Sequence, residues 1–371
     1  MSSWVARHNP RGLRVAIIGA GTMGYWHGRT ARLLDAKLVA IVDPDRTRAG
    51  ALARRLRVKA ATGDASALLQ EGRVDAVHIC SPSFTHAALT SHALESGVHA
   101  LVEKPMAHSV EETRKLVDIA RRQGVILCPV HQVAFQDGIA DAAQALAGLG
   151  DLSVIDFRIY SAGGSGRTDR ELDEIVEDIL PHPLSVLRKL WPHAGLDPQH
   201  WFVSHPRPGE LSVTGMHAGA SLSILISLHA RPTRFEMMAS GPRGAVQLDF
   251  FHGFAVRHDG QVSRLRKASR PFIAALSLFG AATRNLLGRG LRGEVAYPGL
   301  RSLTRAFYAA ARDERSPPIS PEDIIAVAAA RDAILIGSNR KALPFTTTRC
   351  SPEKNRRRDL ARTGSQVFPG G

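Results

Sequence analysis

The sequence predicts an α/β protein in two parts: a doubly wound parallel sheet, then an α+β domain with an open, mainly antiparallel sheet. Three observations predict this fold class. Short apolar strands alternate with helical segments from Leu13 to Val130, which is typical of a parallel sheet covered on both faces. A glycine-rich turn follows the first strand. Beyond residue 131, apolar and polar residues alternate with a period of two, which is typical of antiparallel strands.

The first strand and its turn predict a nucleotide site. Glycines at this spacing tighten the turn, let the backbone approach a pyrophosphate and let the next helix pack closely, while the free amides of that helix attract phosphate. The second strand, Leu38 to Val42, ends on Asp43, 24 residues after Gly19, where an acid can bind an adenosine ribose. The predicted cofactor-binding residues here are Gly19, Gly21, Thr22, Met23, Gly24 and Asp43.

Asp43 favours NAD over NADP. A 2′-phosphate beside this carboxylate would bring two negative charges together, although Arg46 and Arg48 are near enough in sequence to soften the repulsion. NAD is therefore the expected cofactor, and NADP is the less favoured alternative.

The rest of the first part continues the alternation. Ser109 opens a helix and is followed three residues later by Glu112, the spacing of a capping box. Helices are predicted at 46–56, 64–70 and 86–95, and further strands at 76–80, 98–102 and 125–130.

The second part shows strand-like segments at 153–160, 211–217, 221–229, 234–240 and 245–250. Ser320 can cap a late helix that has Pro321 at its first position. We expect a flexible N-terminus (1–12), a nucleotide-binding domain (13–131), a substrate and oligomerisation domain (132–348) whose helix 320–337 packs back on the first domain, and a disordered basic tail (349–371).

Composition is that of an ordinary soluble protein, with 44% hydrophobic and 22% charged residues among 371. The N-terminus does not resemble a secretory signal and no apolar run is long enough to cross a bilayer, so we expect a cytoplasmic location. Cys80, Cys128 and Cys350 lack paired spacing and are interpreted as reduced thiols. No metal site is expected.

A family resemblance rests on three motifs. Glu103-Lys104-Pro105 directly follows a strand, Ser81-Pro82 is followed by His86, and Asp178-Ile-Leu-Pro-His182 pairs an acid with a histidine four residues later. Together these resemble the glucose-fructose oxidoreductase and inositol dehydrogenase family (Gfo/Idh/MocA) over roughly residues 13 to 340. The resemblance implies an N-terminal Rossmann domain that binds NAD(P) and a C-terminal open-sheet domain with the substrate site. It also implies that Lys104, Asp178 and His182 converge beside the nicotinamide.

The chemistry of these residues points to the same three positions. Oxidising a secondary alcohol needs a base for the hydroxyl proton, and the imidazole of His182 has a suitable reference pKa. Lys104, at the carboxyl end of a parallel strand, can stabilise developing alkoxide charge. Asp178 can orient the histidine or hold a neighbouring hydroxyl. The alternative is that Asp178 only caps a helix running to Trp191, with His182 a satisfied surface residue.

Further expectations concern the surroundings of this group. With Pro181 and Pro183 beside it, His182 should lie at a helix start, whose dipole lowers the pKa of its imidazole. By resemblance, the cofactor-binding residues nearer the nicotinamide are Ser81, Pro82, His86, Glu103 and Lys104, with Glu103 also a support for the lysine.

The sequence departs from the family pattern at two places. Asp173 to Glu177 replaces a glycine-rich stretch, and Ala134-Phe135 replaces an Arg-Phe pair. These changes indicate an altered substrate pocket.

The net charge of +14 is concentrated in two regions, 257–305 with +8 and 349–371 with +4. Within the first, the basic amphipathic segment 264–292 is interpreted either as a peripheral contact with an anionic membrane or as a domain helix with a solvated basic face. A nucleic-acid role is not expected, because the positive charge lacks interleaved aromatic residues.

The predicted function is an NAD-dependent oxidoreductase that transfers a hydride between nicotinamide and a ring hydroxyl of a sugar, amino sugar, nucleotide sugar or cyclitol. The alternative is a catalytically silent NAD-binding sensor or scaffold held at a membrane surface by segment 264–292. Since an open sheet leaves one face to cover, we also expect a homo-oligomer.

Overall fold

The computed structural model describes residues 12–70, 72–261, 263–312 and 315–340 and contains two sheets. The first is parallel throughout, and the second is mainly antiparallel. The predicted fold class is therefore confirmed. Cys350, the predicted disordered tail and all but the last residue of the predicted flexible N-terminus lie outside the described residues.

The first sheet has the strand order β3-β2-β1-β4-β5-β6, in which the chain reverses direction across the sheet after β3. Its strands β1, β4, β5 and β6 are short and almost entirely buried because helices cover both faces, while the edge strand β3 is largely exposed. The strands are β1 Arg14–Ile18, β2 Lys37–Val42, β3 Ala60–Thr62, β4 Ala76–Ile79, β5 His99–Val102 and β6 Leu127–Pro129. The covering helices are α1 Thr22–Leu33, α2 Arg46–Leu56, α3 Ala65–Gln70, α4 His86–Glu95 and α5 Val110–Gln123.

Local capping explains where several of these helices begin. The Asp45 carboxylate accepts hydrogen bonds from the amides of Thr47 and Arg48 at the start of α2. The Ser109 hydroxyl accepts one from the Glu112 amide at the start of α5. The predicted capping box is incomplete, because the Glu112 side chain accepts from the amide of His108 rather than from that of Ser109.

The second sheet has the order β13-β12-β11-β7-β10-β9-β8. One internal pair, β7 with β10, is parallel, and the other pairs are antiparallel. The strands are β7 Val154–Tyr160, β8 Phe202–Ser204, β9 Glu210–His217, β10 Ala220–Ser227, β11 Arg234–Gly241, β12 Gly244–Asp249 and β13 Phe254–Asp259. The helices of this part are α6 Asp137–Leu146, α7 Asp169–Ile179, α8 Pro181–Leu190 and α9 Arg264–Leu291.

The last two helices connect the two sheets. In α10, Leu300–Ala311, apolar side chains including Phe307 and Tyr308 pack into the core of the first sheet with Val15 and Ile17. In α11, Pro321–Arg340, Ile324 belongs to a core of the first sheet, while Val327, Ala330 and Ile334 belong to the core of the second. Arg121 and Arg188 form ion pairs with Glu322 and Asp323, which anchor α11 on both sides.

Within the described part of the chain, no helix is both long and apolar enough to span a membrane.

Candidate functional site

The turn between β1 and α1 requires two of its glycines. Gly19 adopts a φ of +105°, and a Cβ there would lie 2.5 Å from the backbone carbonyl carbon of Cys80. A Cβ on Gly24 would lie 2.0 Å from the carbonyl oxygen of Gly19. Only glycines allow β1, its neighbour β4 and α1 to approach this closely.

The start of α1 is suited to an anion. Gly21 is its N-cap and contributes no side chain, and the first turn carries no acidic residue, so the opening amides from Thr22 and Met23 are left without side-chain acceptors. Among the described residues, a Cβ on Gly21 would meet only Nη2 of Arg48, at 3.7 Å. In the described part of the chain, the turn therefore has open space, amides without side-chain acceptors and Arg48 as a nearby cation, which fits a pyrophosphate.

Asp43 lies at the carboxyl end of β2 and is only 8% exposed. Its Oδ2 accepts a hydrogen bond from the Ala20 amide at 2.8 Å, and its Oδ1 accepts one from the Asp45 amide at 3.0 Å. The two bonds fix the carboxylate beside the glycine turn. Each oxygen keeps a further lone pair, which can accept from a ribose hydroxyl.

The predicted residues after β4 hold one another in place. Ser81 Oγ donates to Thr85 Oγ1 at 2.7 Å, because the Thr85 hydroxyl is itself committed to the carbonyl of Pro82. His86 lies with both ring nitrogens 2.8 Å from carbonyl oxygens, Nδ1 from Pro105 and Nε2 from Ser81. No ring nitrogen of His86 is left for a cofactor. The ring instead connects the loop that carries Ser81 to the loop that carries Pro105.

Glu103 belongs to a buried hydrogen-bonded chain that reaches α10. Its Oε2 accepts from the Lys104 amide at 3.2 Å and its Oε1 lies 3.0 Å from His27 Nε2. His27 Nδ1 lies 3.0 Å from His78 Nδ1, and His78 Nε2 lies 3.0 Å from the Tyr308 hydroxyl. This chain was not predicted, because residues 27, 78, 103 and 308 share no sequence pattern.

Asp178 and His182 lie on consecutive helices that follow each other almost without a break. Asp178 is the penultimate residue of α7, and His182 is the second residue of α8. Leu180 between them keeps right-handed helical dihedral angles, so the four-residue spacing sets the two side chains on one face. The alternative that Asp178 caps the helix running to Trp191 is wrong, because Leu180 is the N-cap of α8.

Lys104 reaches this helical pair from the first sheet. It follows β5, and its Nζ donates a hydrogen bond to the backbone carbonyl of Asp178 at 3.1 Å. The structure thus brings Lys104, Asp178 and His182 together, at the sheet edge where the glycine turn and Asp43 also lie.

His182 is buried, and its pKa is lowered well below 6.5, first by burial and then by the positive charge of Lys104 and by His131. Its Nδ1 is buried without a hydrogen-bond partner among the described residues. The imidazole is therefore neutral at pH 7. The sequence argument predicted this direction from the helix dipole, but burial is the principal cause in the structure.

Burial also raises the pKa of the Asp178 carboxyl, while the nearby cations Lys104 and Arg331 act in the opposite direction. Arg331 on α11 is almost completely buried and lies 3.3 Å from a carboxylate oxygen of Glu177. It is a cation near the site that sequence reasoning missed.

His131 is a second missed residue. It follows β6, is buried, and its pKa is lowered to about 4, mainly by burial. It lines both a small cavity of about 40 Å³ beside Lys104 and Pro181 and a larger cavity of about 260 Å³ beside Phe135 and Arg188. The rule that ligands bind at the carboxyl ends of parallel strands was the signal that could have found it.

The residues that depart from the family pattern have structural partners. Asp173 Oδ1 lies 2.9 Å from His205 Nε2 and accepts from the Gly209 amide at 2.9 Å. Phe135 lines the larger cavity, and the ammonium of Lys189 lies 4.8 Å from its ring centre.

Other reactive groups are scarce in the described part of the molecule. Cys80 and Cys128 are free, and burial raises the pKa of both thiols. No group of three or more His, Cys, Asp and Glu side chains in this part is arranged to hold a metal ion.

Three comparisons place this geometry among known proteins. A family model described as an oxidoreductase family with an NAD-binding Rossmann fold matches residues 13–131. The scyllo-inositol 2-dehydrogenase (NAD(+)) of Bacillus subtilis (strain 168) is 32% identical over 153 residues, which are 41% of this chain and 44% of that protein. The UDP-N-acetylglucosamine 3-dehydrogenase of Acidithiobacillus ferrooxidans is 34% identical over 119 residues, 32% of this chain and 37% of that protein.

The sequence matches thus span less than half the length of these curated relatives. The structural likeness is longer. The WlbA dehydrogenase from Bordetella pertussis, solved with NADH and UDP-GlcNAcA, superposes with a TM-score of 0.70 over 91% of this chain and 99% of its own, at 16% identity. At that identity the likeness shows a shared fold.

Proposed function

We propose that this chain, which belongs through residues 13–131 to the Gfo/Idh/MocA oxidoreductase family, is an NAD-dependent dehydrogenase. Its substrate would present a secondary ring hydroxyl, as in a sugar, amino sugar, nucleotide sugar or cyclitol. The names of the relatives support this class, since they act on inositol, a glucoside and UDP-N-acetylglucosamine.

One observation carries the proposal: a neutral, buried imidazole and a primary amine meet at the edge of an NAD-binding sheet. Lys104 Nζ donates to the carbonyl of Asp178, and its charge lowers the pKa of His182. A protonated histidine could not accept a proton, whereas the uncharged ring can do so at pH 7.

The first task of the protein is to hold the cofactor. The amides of Thr22, Met23 and Gly24 would bind the pyrophosphate at the start of α1, and Asp43 would bind the adenosine ribose. NAD, when bound, supplies the hydride acceptor. Ser81 and Pro82 would line the nicotinamide side, while His86 and Glu103 hold the loops that carry Pro105 and Lys104.

His182 would act as the general base on the substrate hydroxyl. A buried ring nitrogen without a hydrogen-bond partner is costly, and a bound hydroxyl or water can relieve that cost. In the oxidation direction, the proton of the reacting hydroxyl would move to the imidazole of His182.

Lys104 would stabilise the reacting oxygen. Its ammonium has three donor hydrogens, and the Asp178 carbonyl takes one of them. The remaining donors can bind the substrate oxygen as negative charge develops on it. Burial keeps His182 unprotonated, and the positive charge of Lys104 lowers the pKa of the imidazole further, so the two roles reinforce each other.

Asp178 would hold a second hydroxyl of the substrate. Burial raises the pKa of its carboxyl, and the charges of four nearby side chains lower it. These side chains are Lys104, Arg331, His108 and His86. A carboxylate in this position accepts hydrogen bonds from vicinal hydroxyls, which are characteristic of sugars and cyclitols.

The test is a screen for NAD reduction by nicotinamide absorbance, with UDP-N-acetylhexosamines, free inositols and glucosides as substrates. We expect turnover with at least one of these classes and its loss in His182→Asn. Tight NAD binding without reduction by any member of the panel would overturn the proposed activity and favour a catalytically silent NAD-binding protein.

A further inference from the structure

Helix α9 exposes its apolar face to solvent. The side chains of Phe272, Leu276 and Phe279 are 73%, 71% and 71% exposed, and Leu286 and Leu287 further along are 70% and 62% exposed. With 3.6 residues per turn, these five positions lie along one side of the 28-residue helix. The result is an apolar stripe interrupted by Thr283, defined here as residues 272, 276, 279, 286 and 287.

The opposite, polar side of α9 is the one attached to the protein. Asn285 Nδ2 and Arg289 Nη1 donate to the carbonyl of His252 at 2.7 and 2.9 Å. Arg284 pairs with Asp141 at 2.9 Å, and Arg292 pairs with Asp137. This orientation differs from that of a domain helix, which would bury its apolar side against the core.

The charge on α9 is complementary to an anionic surface. Residues 264–292 contain seven Lys or Arg and no Asp or Glu. Arg270 lies two residues before Phe272 and is exposed, Arg284 and Arg289 lie beside the second half of the stripe, and Arg292 directly follows the helix. Arg284 and Arg292 pair with Asp141 and Asp137, so the surplus positive charge of this segment comes from its other basic residues. Two copies of the helix packed stripe to stripe would bring these surplus charges together, whereas anionic lipid headgroups would neutralise them.

We propose that α9 docks the protein on the surface of an anionic membrane. The helix would lie in the interface, with the apolar stripe at the boundary of headgroups and acyl chains and with exposed basic side chains such as Arg270 against lipid phosphates. This proposal does not rest on the proposed dehydrogenase activity, because binding is read out without turnover.

The stripe is tested by co-flotation of the full-length protein with vesicles of phosphatidylcholine and phosphatidylglycerol. The triple variant Phe272→Ser, Leu276→Ser, Phe279→Ser should bind at least about a hundredfold more weakly, since each side chain loses the favourable transfer of its apolar surface. Leu278→Ser is the matched control. Leu278 is 48% exposed on the same helix but lies off the stripe, so its replacement should leave binding nearly unchanged.

The charge requirement is tested with vesicles of phosphatidylcholine alone. Wild-type binding should be at least about fivefold weaker there, because each basic residue near an anionic surface contributes a factor of that order. The basic segment 349–371 is present in every variant, so a loss confined to the triple variant reports on α9.

Two results would overturn the proposal. One is equal binding of the triple variant and the wild type to anionic vesicles. The other is a wild type that does not float with vesicles, together with a triple variant that forms a smaller oligomer than the wild type by light scattering. The second result would assign the stripe to contact with another copy of this chain.

Discussion

Glu103 Oε1 lies 3.0 Å from Nε2 of His27, and this contact begins a buried hydrogen-bonded chain beneath Lys104. The other ring nitrogen of His27, Nδ1, lies 3.0 Å from Nδ1 of His78. His78 is kept neutral because burial lowers its pKa, and its Nε2 lies 3.0 Å from the Tyr308 hydroxyl. Four side chains from α1, β4, α10 and the end of β5 are thereby joined in one chain.

Replacing Tyr308 tests this chain. Tyr308→Phe keeps the ring in the core but leaves the buried Nε2 of His78 without its hydrogen-bond partner, so the free energy of unfolding should fall by about 1–3 kcal/mol. Urea unfolding measures the change. Tyr25→Phe is the control, because the Tyr25 ring packs beneath the Arg55 guanidinium through its face and this contact survives. Equal stability of Tyr308→Phe and the wild type would show that the contact between Tyr308 and His78 does not stabilise the fold.

Removing the charge of Lys104 should lower kcat without changing the affinity for NAD. In Lys104→Met we expect kcat to fall by roughly 10²–10³, the range found when one donor to a developing oxyanion is removed. NAD affinity, measured by calorimetry, should stay nearly unchanged, because the proposed contacts to the pyrophosphate and adenosine ribose lie on α1 and β2. Lys115→Met, an exposed position on α5, is the control. A large loss of NAD affinity with kcat preserved would refute the assigned role.

The pH dependence of the reaction follows from His182. The base must be uncharged, and burial holds its pKa well below 6.5. Lowering the pH from 8 to 6.5 should therefore leave kcat/KM on its plateau, and the acid limb should appear only below 6.5. The profile should be measured with an uncharged cyclitol or glucoside, so that the substrate does not titrate. An acid limb above 6.5 would show that this imidazole is not the titrating base.

Cofactor choice should depend on Asp43. The wild type should bind NAD at least about tenfold more tightly than NADP, because a 2′-phosphate would face the fixed carboxylate. In Asp43→Ser this preference should shrink, since the guanidinium of Arg48 lies near Gly21 in the adjacent turn and can then bind the 2′-phosphate of NADP. Calorimetric titration with both cofactors measures the ratio. A wild type that binds NADP more tightly than NAD would show that attraction of the 2′-phosphate to Arg48 is stronger than its repulsion by Asp43.

The elements that the sequence predicted well are those whose signals are local. Ser320 caps α11, with Pro321 first in the helix, as expected, because a hydroxyl acceptor and a ring without an N–H act within one turn. The strands β3 and β8 were missed, since three residues are too few to show a period, and the six-residue strand β13 was missed as well. The predicted closing strand at 125–130 is shorter in the structure, at Leu127–Pro129.

The candidate site was predictable only where residues share a motif. Asp178 and His182 are four residues apart, and Lys104 follows a strand in a recognisable tripeptide. His131 and Arg331 carry no such pattern, and their proximity to Lys104 and Asp178 depends on how β6 and α11 pack. For α9, the amphipathic pattern was visible, but which side faces outward depends on the distant partners His252, Asp137 and Asp141.

The packing of α10 into the first sheet has a consequence for biosynthesis. Strands β1 to β6 emerge from the ribosome before α10, and Phe307 and Tyr308, which complete their core, are translated some 180 residues after Pro129. A nascent chain would therefore present an unfinished nucleotide-binding half for most of its translation. Excising residues 13–131 for separate expression should give an aggregation-prone fragment, because the groove that α10 fills would be left as bare apolar surface.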